Sequence, residues 1–454
     1  MRRSLAVGLL LALLAILGAG GALVASGSLR PPPAPAYPRL ASVATAPAVG
    51  ASAPDPTTDG LQRTLTPLLA APALGQVAAV VADPESGRTL WQRNGDAPVT
   101  PASTAKLATA VAALTVLGPD DRFTTSAVLG PDRELVLVGG GDPTLASPKA
   151  PPIYPPGASM AELAAKAADA LAKRGLRSVR VAVDASLFSG PTTAPGWKPS
   201  YVPTGNVSPV TALSVDGGRL NPDADPRTPD LRAPDPPIAA GQVFAGLLTA
   251  HGITVTAPVA GAAAPPAAPE LAAVQSPPLA DFVERMLQHS DNDMAEALAR
   301  QVALAQHQPP TFAGGAAAVR DVLSRLGVSG VDLVDGSGLS VDDRVTVHAL
   351  AQLLALAASP THPELRSIVT GLPVAGFSGT LGDRFRTSTG ARGAGMVRAK
   401  TGTLAMVSGL AGLVVDADGR ELVFATVAND VPDVLGAEAA LDRVAAALSG
   451  CGCR

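Results

Sequence analysis

The segment PASTAKLATAVAALTVLG, residues 101–118, places a lysine inside a predicted helix that is otherwise apolar. After Lys106 the segment contains only alanine, leucine, valine, threonine and glycine, and the whole chain of 454 residues has only six lysines. Burying such a helix takes the ammonium group out of water, which is costly for a charged group without a partner. The fold is therefore constrained at this point, because it must make the burial of Lys106 tolerable.

Ser103 and Lys106 lie one helical turn apart at the start of this helix. Thr100 is predicted to cap the helix, and Pro101 suits its first position. Ser103 then lies in the first turn, and Lys106 follows on the same face within side-chain reach. A serine hydroxyl becomes a good nucleophile only when a base takes its proton. A lysine acts as that base only when burial and another cation lower its pKa.

Lys400 is the candidate for the other cation, at the start of the predicted strand segment KTGT. Gly402 is expected to let a substrate peptide approach the strand edge closely, because it has no side chain. Lys400, Thr401 and Thr403 are predicted to hold a substrate carboxylate. The backbone N–H groups of Thr403 and Ser103 are predicted to form an oxyanion hole.

The segment SDN, residues 290–292, supplies the third element between two predicted helices. Ser290 is predicted to relay a proton to a leaving amine, and Asn292 either binds a substrate amide or orients Lys106. Each motif alone is common and has a structural interpretation as a helix start, a cap or a turn. All three in this order, at helix or strand boundaries, have a joint chance on the order of one in a thousand or less. The trio therefore favours an enzyme.

Other chemistries have less support in the sequence. The chain has no Gly-x-Ser-x-Gly elbow, its five histidines are scattered, and no spacing of histidines, cysteines or carboxylates predicts a zinc site. The formal net charge of −4 gives no basic surface for nucleic acid. Two cysteines, both in the terminal CGCR, predict a frayed tail at 451–454 with no assigned role.

The N-terminus predicts export. Residues 5–25 form an uncharged apolar run behind two arginines, and roughly 20 such residues span a bilayer. Residues 1–26 are therefore predicted to be a signal peptide or a membrane anchor, and membrane contact persists only if the segment is not cleaved. Residues 27–59, rich in proline and alanine, are predicted to be a linker.

The rest of the chain contains further predicted strands and helices. Strand-like and helix-like segments within 129–275 predict an inserted α/β or β-rich unit, and dense helical patterns follow from Leu279. Residues 395–430 are predicted to form two long strands around the turn DADG.

The three motifs, in this order, resemble those of the penicillin-recognising serine enzymes. The wider context is similar to the D-alanyl-D-alanine carboxypeptidase/endopeptidase family, the class C low-molecular-mass penicillin-binding proteins, over roughly residues 60–448. The segments that carry this resemblance are GDAPVTPASTAKLATAVAAL, LVLVGGGDPTL, DASLFSGPTTAPGW, VSPVTALSVDGG, VDGSGLS and LPVAGFSGTLGDRF. The family often has a basic residue directly after DGSGLS, where this chain has Val341, with Arg344 further on.

The resemblance implies an α+β fold with a β-lactamase/transpeptidase-like catalytic domain, an antiparallel sheet with helices on both faces. Residues 60–128 and 276–450 would form this domain, split by the inserted unit. It also implies cleavage of D-Ala-D-Ala stem peptides, or of D-amino-acid cross-links, in peptidoglycan outside the cytoplasmic membrane, with no metal or organic cofactor.

The resemblance also implies roles for particular residues. Ser103 would form an acyl-enzyme with Lys106 as its base and Ser290 as the proton shuttle, and β-lactams would acylate Ser103 as substrate mimics. Asp184 looks similar to an aspartate of the family's inserted domain that helps to hold the stem-peptide side chain, and a plain aspartate at the end of a strand is the alternative interpretation.

Two other functions stay open on the sequence. A β-lactamase on the same fold commonly needs a Glu-x-x-x-Asn loop for rapid deacylation, and neither Glu162 nor Glu270 is followed by such an asparagine. A non-catalytic penicillin-binding sensor or wall-binding scaffold would bind stem peptides without releasing D-alanine.

Overall fold

A five-stranded antiparallel sheet contains the KTGT motif in one of its strands, and the turn that carries Ser103 packs on that strand. The computed structural model describes residues 53–152, 155–223 and 230–454. Along the sheet the strand order is β11-β12-β13-β1-β2. The bounds are β1 Gln76–Ala82, β2 Thr89–Arg93, β11 Val397–Leu404, β12 Val407–Val415 and β13 Glu421–Asn429. Strands from the two ends of the chain therefore meet in one sheet, because β1 pairs with β13.

Helices cover both faces of this sheet. In β1 every residue after the first is buried, and alternate side chains enter different cores because strand side chains alternate between faces. Ala78 and Val80 enter one core, whereas Val77, Ala79 and Val81 enter the other. The first core contains α2 Lys106–Leu117, α5 Leu279–His289, α6 Asn292–Ala305, α7 Phe312–Arg325, α8 Val347–Ala358 and α9 Arg366–Gly371. The second core contains α1 Thr58–Leu69 and α10 Val434–Ser449. The predicted sheet with helices on both faces is confirmed.

A second sheet of six strands lies in the middle of the chain. Its bounds are β3 Thr124–Leu129, β4 Glu134–Val138, β5 Ser178–Asp184, β6 Thr254–Val255, β7 Ala260–Gly261 and β8 Glu270–Gln275. Parallel pairing of β4 with β5 and antiparallel pairing of β3 with β4 make it a mixed sheet. Its core includes side chains of α3 Met160–Lys173 and α4 Pro236–Ala250. The sheet begins at Thr124, shortly before the predicted start of the inserted unit. The domain limits 129–275 stay a prediction.

The end of the chain has one strand more than the sequence pattern predicted. The expected hairpin around DADG is present as β12 and β13. A second tight turn at Ala405 and Met406 divides the other predicted long strand into β11 and β12. Met406 has a φ of 63°, in the left-handed region. The prediction missed this turn because LAMV contains none of the glycine, proline or asparagine residues that usually mark one.

The C-terminal tail is packed rather than frayed, which corrects the prediction for 451–454. The backbone N–H of Thr57 donates to the carbonyl of Cys453 at 2.8 Å, and a side chain at Gly60 would collide with that same backbone. Cys451 and Cys453 form a disulfide. The tail therefore covers the start of α1, which begins at Thr58, inside the predicted linker.

The predicted signal peptide or anchor at 1–26, and most of the linker at 27–59, lie outside the described residues. Within the described part of the chain, no helix is both long and apolar enough to cross a bilayer.

Candidate active site

A short 3-10 turn, Ala102–Ala105, carries Ser103 into the α-helix α2. The turn has no side-chain cap, so the predicted capping role of Thr100 is wrong. Instead, the Thr104 hydroxyl donates to the carbonyl of Pro101 at 2.7 Å. Ser103 therefore lies in the turn directly before α2, and the first residue of α2 is the fully buried Lys106.

Three oxygen atoms surround the Lys106 amine. Its Nζ lies 3.0 Å from Ser103 Oγ, 2.7 Å from Asn292 Oδ1 and 2.7 Å from the carbonyl oxygen of Ser337. The Asn292 amide nitrogen donates to the carbonyl of Asn206 at 2.8 Å, which fixes the amide so that its oxygen faces the lysine.

These contacts orient the neutral form of the amine. A neutral amine has two N–H bonds and one lone pair. Asn292 Oδ1 and the Ser337 carbonyl can only accept, so they take the two N–H bonds. The lone pair is then left facing the hydroxyl of Ser103, which is the arrangement that a general base needs. Of the two roles considered for Asn292, the structure supports orientation of Lys106.

Burial lowers the pKa of Lys106 to about 8. Loss of solvation is the main cause, because the charged ammonium form is disfavoured away from water. Four carboxyl groups oppose this effect and are, in order of influence, Asp335, Glu296, Asp291 and Asp343. The amine therefore becomes neutral near pH 8, rather than near its ordinary value of 10.5.

Lys400 lies behind the cavity and is also fully buried. Its Nζ donates to the carbonyl of Thr401 at 2.8 Å. Burial first, and then the charge of Lys106, hold the pKa of Lys400 well below its usual value. The main causes of the Lys106 shift are burial and four carboxyl groups, so the predicted lowering of its pKa by the charge of Lys400 stays a prediction. Lys400 is not among the described residues that line the cavity, and its contact with a substrate carboxylate stays a prediction.

Gly402 has a structural purpose beside the one predicted, which stays a prediction. A Cβ at this position would lie 2.7 Å from the carbonyl oxygen of Pro101 and 3.2 Å from Thr104. The glycine therefore lets strand β11 pack directly against the turn that carries Ser103. It brings the strand to the nucleophile, and Gly402 itself is buried.

A cavity of about 340 Å³ opens in front of Ser103. The described residues that line it are Ser103, Ser290, Thr380, Arg384, Thr401, Thr403 and Glu438. The hydroxyls of Thr380 and Thr401 lie 2.8 Å apart, and the Thr403 hydroxyl donates to Glu438 Oε1 at 3.0 Å. Arg384 is neutralised by an ion pair of 2.6 Å with Asp442. The cavity thus presents hydroxyl groups and one open carboxylate.

Ser290 reaches this cavity from the junction of two helices. It ends α5 with a φ of 56° and a ψ of 40°, a left-handed conformation that reverses the chain. Asp291 then caps α6 by accepting from the N–H of Met294 at 3.0 Å. This turn brings Ser290 to the cavity and Asn292 to the lysine at the same time.

Asp184 is not brought to the cavity. It ends β5, and its two carboxylate oxygens accept from the backbone N–H groups of Ser186 at 2.8 Å and Ala264 at 2.7 Å. Its side chain therefore joins the end of β5 to the segment after β7 by hydrogen bonds. Among the described residues, no cluster of histidine, cysteine or carboxylate side chains is arranged to hold a metal ion.

Sequence reasoning missed four groups at the site: Ser337, Thr380, Arg384 and Glu438. Ser337 lies in VDGSGLS, and both Thr380 and Arg384 lie in LPVAGFSGTLGDRF. Both segments carry the family resemblance, but nothing in their spacing assigns a role to these three residues. Glu438 lies in an alanine-rich helix near the C-terminus, where no sequence signal indicated it.

Comparison with a family model and with known proteins identifies relatives of this chain. The model of the D-Ala-D-Ala carboxypeptidase 3 (S13) family matches two overlapping stretches, residues 61–230 and 218–448. The chain is 40% identical to the carboxypeptidase DacB of Mycolicibacterium smegmatis, covering 93% of this chain and 90% of the relative. It is 32% identical to the D-alanyl-D-alanine carboxypeptidase of an Actinomadura species, covering 91% of this chain and 88% of the relative.

The fold is similar to that of penicillin binding protein 4 from Haemophilus influenzae. The TM-score is 0.68 at 23% identity, with 86% of this chain and 97% of the other covered. This similarity confirms the predicted fold class. By the family match and the two relatives, the chain belongs to the D-Ala-D-Ala carboxypeptidase 3 (S13) family.

Proposed function

We propose that this protein is a serine-type D-Ala-D-Ala carboxypeptidase that acts on peptidoglycan stem peptides through an acyl-enzyme on Ser103. The observation that carries the proposal is the set of three contacts around the Lys106 amine. They leave its lone pair free for one proton only, that of Ser103. Family membership and the names of the two relatives support the same activity.

The first half of the reaction follows from these contacts. Ser103 Oγ forms a bond to the carbonyl carbon of the penultimate D-alanine while its proton passes to Lys106. The backbone N–H groups of Ser103 and Thr403 stabilise the oxyanion. The C–N bond then breaks, and Ser290, which lies on the cavity, passes the proton from Lys106 to the leaving amine. D-Alanine departs and the stem peptide remains as an ester on Ser103.

Water completes the cycle by the reverse route. A water molecule gives a proton to Lys106 and attacks the ester carbonyl, and Ser103 recovers its proton as the acid is released. β-Lactams enter the same path as substrate mimics, since their amide bond opens on Ser103 without a departing fragment. Cleavage of D-amino-acid cross-links would use the same acyl-enzyme with a larger leaving group.

The strand side of the cavity is proposed to recognise the substrate's terminal carboxylate. The hydroxyls of Thr401 and Thr403 line the cavity, and the buried Lys400 lies directly behind Thr401. Peptidoglycan lies outside the cytoplasmic membrane, so an exported protein is required. The apolar run at residues 5–25 supports export, as either a signal peptide or an anchor.

The proposal is tested by Ser103→Ala with Ser324→Ala, an exposed serine on α7, as the matched control. Wild type and the control should be labelled covalently by a fluorescent penicillin and should release D-alanine from a monomeric muropeptide. Ser103→Ala should do neither. An unlabelled wild type, or undiminished labelling of Ser103→Ala, would reject the proposal. Rapid turnover of nitrocefin by the wild type would instead favour a β-lactamase.

A further inference from the structure

Three buried carboxyl groups lie behind Lys106, and the reaction described above uses none of them. Glu296 and Asp343 have no exposed surface, and Asp335 is 2% exposed. Such groups are rarely buried unless they are held by hydrogen bonds. Their hydrogen bonds converge on one loop, residues 334–343, between the short strands β9 Val331–Asp332 and β10 Arg344–Val345. This loop contains the carbonyl of Ser337 that contacts the lysine.

Glu296 connects this loop to helix α6. Its carboxyl oxygens accept from the backbone N–H of Gly336 at 3.0 Å and from that of Ser337 at 2.9 Å. Glu296 lies four residues after Asn292, so the two side chains share one face of α6. The helix therefore controls both acceptors of the lysine N–H bonds. It provides Asn292 directly, and it holds the Ser337 carbonyl through Glu296.

Asp335 holds the same loop from within. One of its oxygens accepts from the N–H of Ser337 at 3.1 Å and of Gly338 at 2.7 Å, and the other accepts from the N–H of Ser340 at 2.7 Å. The indole N–H of Trp197 donates to this second oxygen at 2.6 Å. Trp197 belongs to the long segment between the first two motifs, so that segment has a direct hydrogen bond to the support of the base.

We propose that Glu296 and Asp335 are positioning residues that fix the Ser337 carbonyl, and thereby aim the lone pair of Lys106 at Ser103. This inference rests on the proposed function. If the loop were released, the lysine would lose one of its two fixed acceptors. The amine could then rotate about its Cε–Nζ bond, and an N–H bond rather than the lone pair would face Ser103 for part of the time. Trp197 is the anchor that holds Asp335 in place.

The pKa shifts of the buried carboxyl groups agree with this role. The charged groups that face Glu296 are Asp335, Arg300, Lys106 and Asp343. Burial and the nearby Asp335 raise the pKa of Glu296 to about 8, and the same two causes raise the pKa of Asp343 to about 9. Both groups are therefore mainly protonated at neutral pH. When ionised they raise the pKa of Lys106, so their own raised pKa values limit this opposing charge at neutral pH.

Two substitutions of Glu296 separate hydrogen bonding from charge. Glu296→Ala removes the acceptor for both backbone N–H groups, whereas Glu296→Gln keeps one carbonyl oxygen and cannot ionise. The rate constant for acylation by a fluorescent penicillin should fall at least tenfold in Glu296→Ala at pH 7 and stay within threefold of wild type in Glu296→Gln. As the pH rises, the rate of Glu296→Gln should reach its plateau at the same pH as wild type or at a lower one. For D-alanine release, kcat should fall and KM should be unchanged, because the strand side of the cavity is intact.

Glu162→Ala, an exposed glutamate of α3 paired with Lys166, is the control for the general effect of truncation. Trp197→Phe covers the case in which Glu296→Ala does not fold. Phenylalanine keeps an aromatic ring beside Phe312 and removes the N–H that holds Asp335, together with part of the indole ring. Acylation of Trp197→Phe should slow three- to fivefold in a variant that still folds cooperatively, as its melting curve shows.

The proposal is overturned if a folded Glu296→Ala is acylated at the wild-type rate, if Glu296→Gln is as slow as Glu296→Ala, or if Trp197→Phe shows no loss. Failure of the proposed function itself has a different signature, since wild type would then remain unlabelled.

Discussion

The two sides of the cavity in front of Ser103 differ in their exposure to solvent. On the helix side, Lys106 is fully buried, and its amine contacts three oxygen atoms. On the strand side, Thr403 is exposed, and its hydroxyl contacts the partly exposed Glu438. Proton transfer needs fixed geometry and a lowered pKa, which burial provides. Recognition of a polymer needs groups that solvent and substrate can both reach.

The two buried lysines show the same division. Lys106 is close to four carboxyl groups that raise its pKa and so offset part of the effect of burial. Lys400 has no such groups among the causes of its shift, and the charge of Lys106 lowers its pKa further. For Lys400, burial therefore lowers the pKa with no carboxyl group among the causes to offset it. One lysine acts as the base, and the other supports the strand.

The largest effect should follow from removing the base. Lys106→Met replaces a buried amine by an apolar chain of similar length, so the protein should fold. Acylation by penicillin should fall by about 10²–10⁴-fold, the usual contribution of a general base. A stopped-flow or gel assay of the labelled enzyme measures this, with Lys166→Met on the exposed face of α3 as the control. A loss of less than tenfold would show that another group takes the proton of Ser103.

A smaller effect should follow from the second lysine. Lys400→Met removes the donor to the Thr401 carbonyl and should slow acylation about tenfold, as the strand carrying Thr401 and Thr403 loses support. In wild type the rate should rise with pH and level off above about 8, because only the neutral form of Lys106 is a base. Lys400→Met should keep that midpoint, since burial, and not the charge of Lys400, is the main cause of the lowered pKa of Lys106.

The pH profile of Lys400→Met decides between the two roles of Lys400. A midpoint that moves up by a pH unit or more would mean that Lys400 is charged when Lys106 titrates. Its positive charge would then be what lowers the pKa of Lys106, as the sequence suggested. The helix and strand sides of the cavity would in that case share the chemistry.

The parts of the site that the sequence predicted are those with a local pattern. Ser103 and Lys106 are one turn apart on a helix, so their contact of 3.0 Å follows from helix geometry. The sheet with helices on both faces was also predicted, because the family resemblance extended well beyond the three motifs. The approach of Lys400 to Lys106 was a weaker inference, since it depended on chemical need and not on spacing.

The parts that were missed depend on contacts between distant segments. The sequence predicts that Gly402 admits a substrate, but it does not show that a side chain there would meet a carbonyl oxygen about 300 positions earlier in the chain. Asp184 has the expected residue type, yet both of its oxygens are used by backbone N–H groups. Glu438 became a cavity residue only when α10 packed beside β11. No periodicity or spacing can reveal such partners.

The smallest effect should come from Glu438, the open carboxylate of the strand side. Its negative charge lies next to Thr403, where the terminal carboxylate of the substrate is proposed to bind, so the two should repel each other. Glu438→Gln keeps an oxygen that accepts from Thr403 and removes the charge. Because the pair is exposed and screened by solvent, KM for D-Ala-D-Ala peptides should fall only about two- to threefold, with kcat unchanged. The difference from wild type should shrink between low and high salt, since screening weakens the repulsion. Glu162→Gln in α3 is the matched control and should show no change. A Glu438→Gln variant with raised KM would instead mean that the carboxylate attracts a positively charged part of the stem peptide. The strand side of the cavity would then select its substrate by charge as well as through the hydroxyl groups of its threonines.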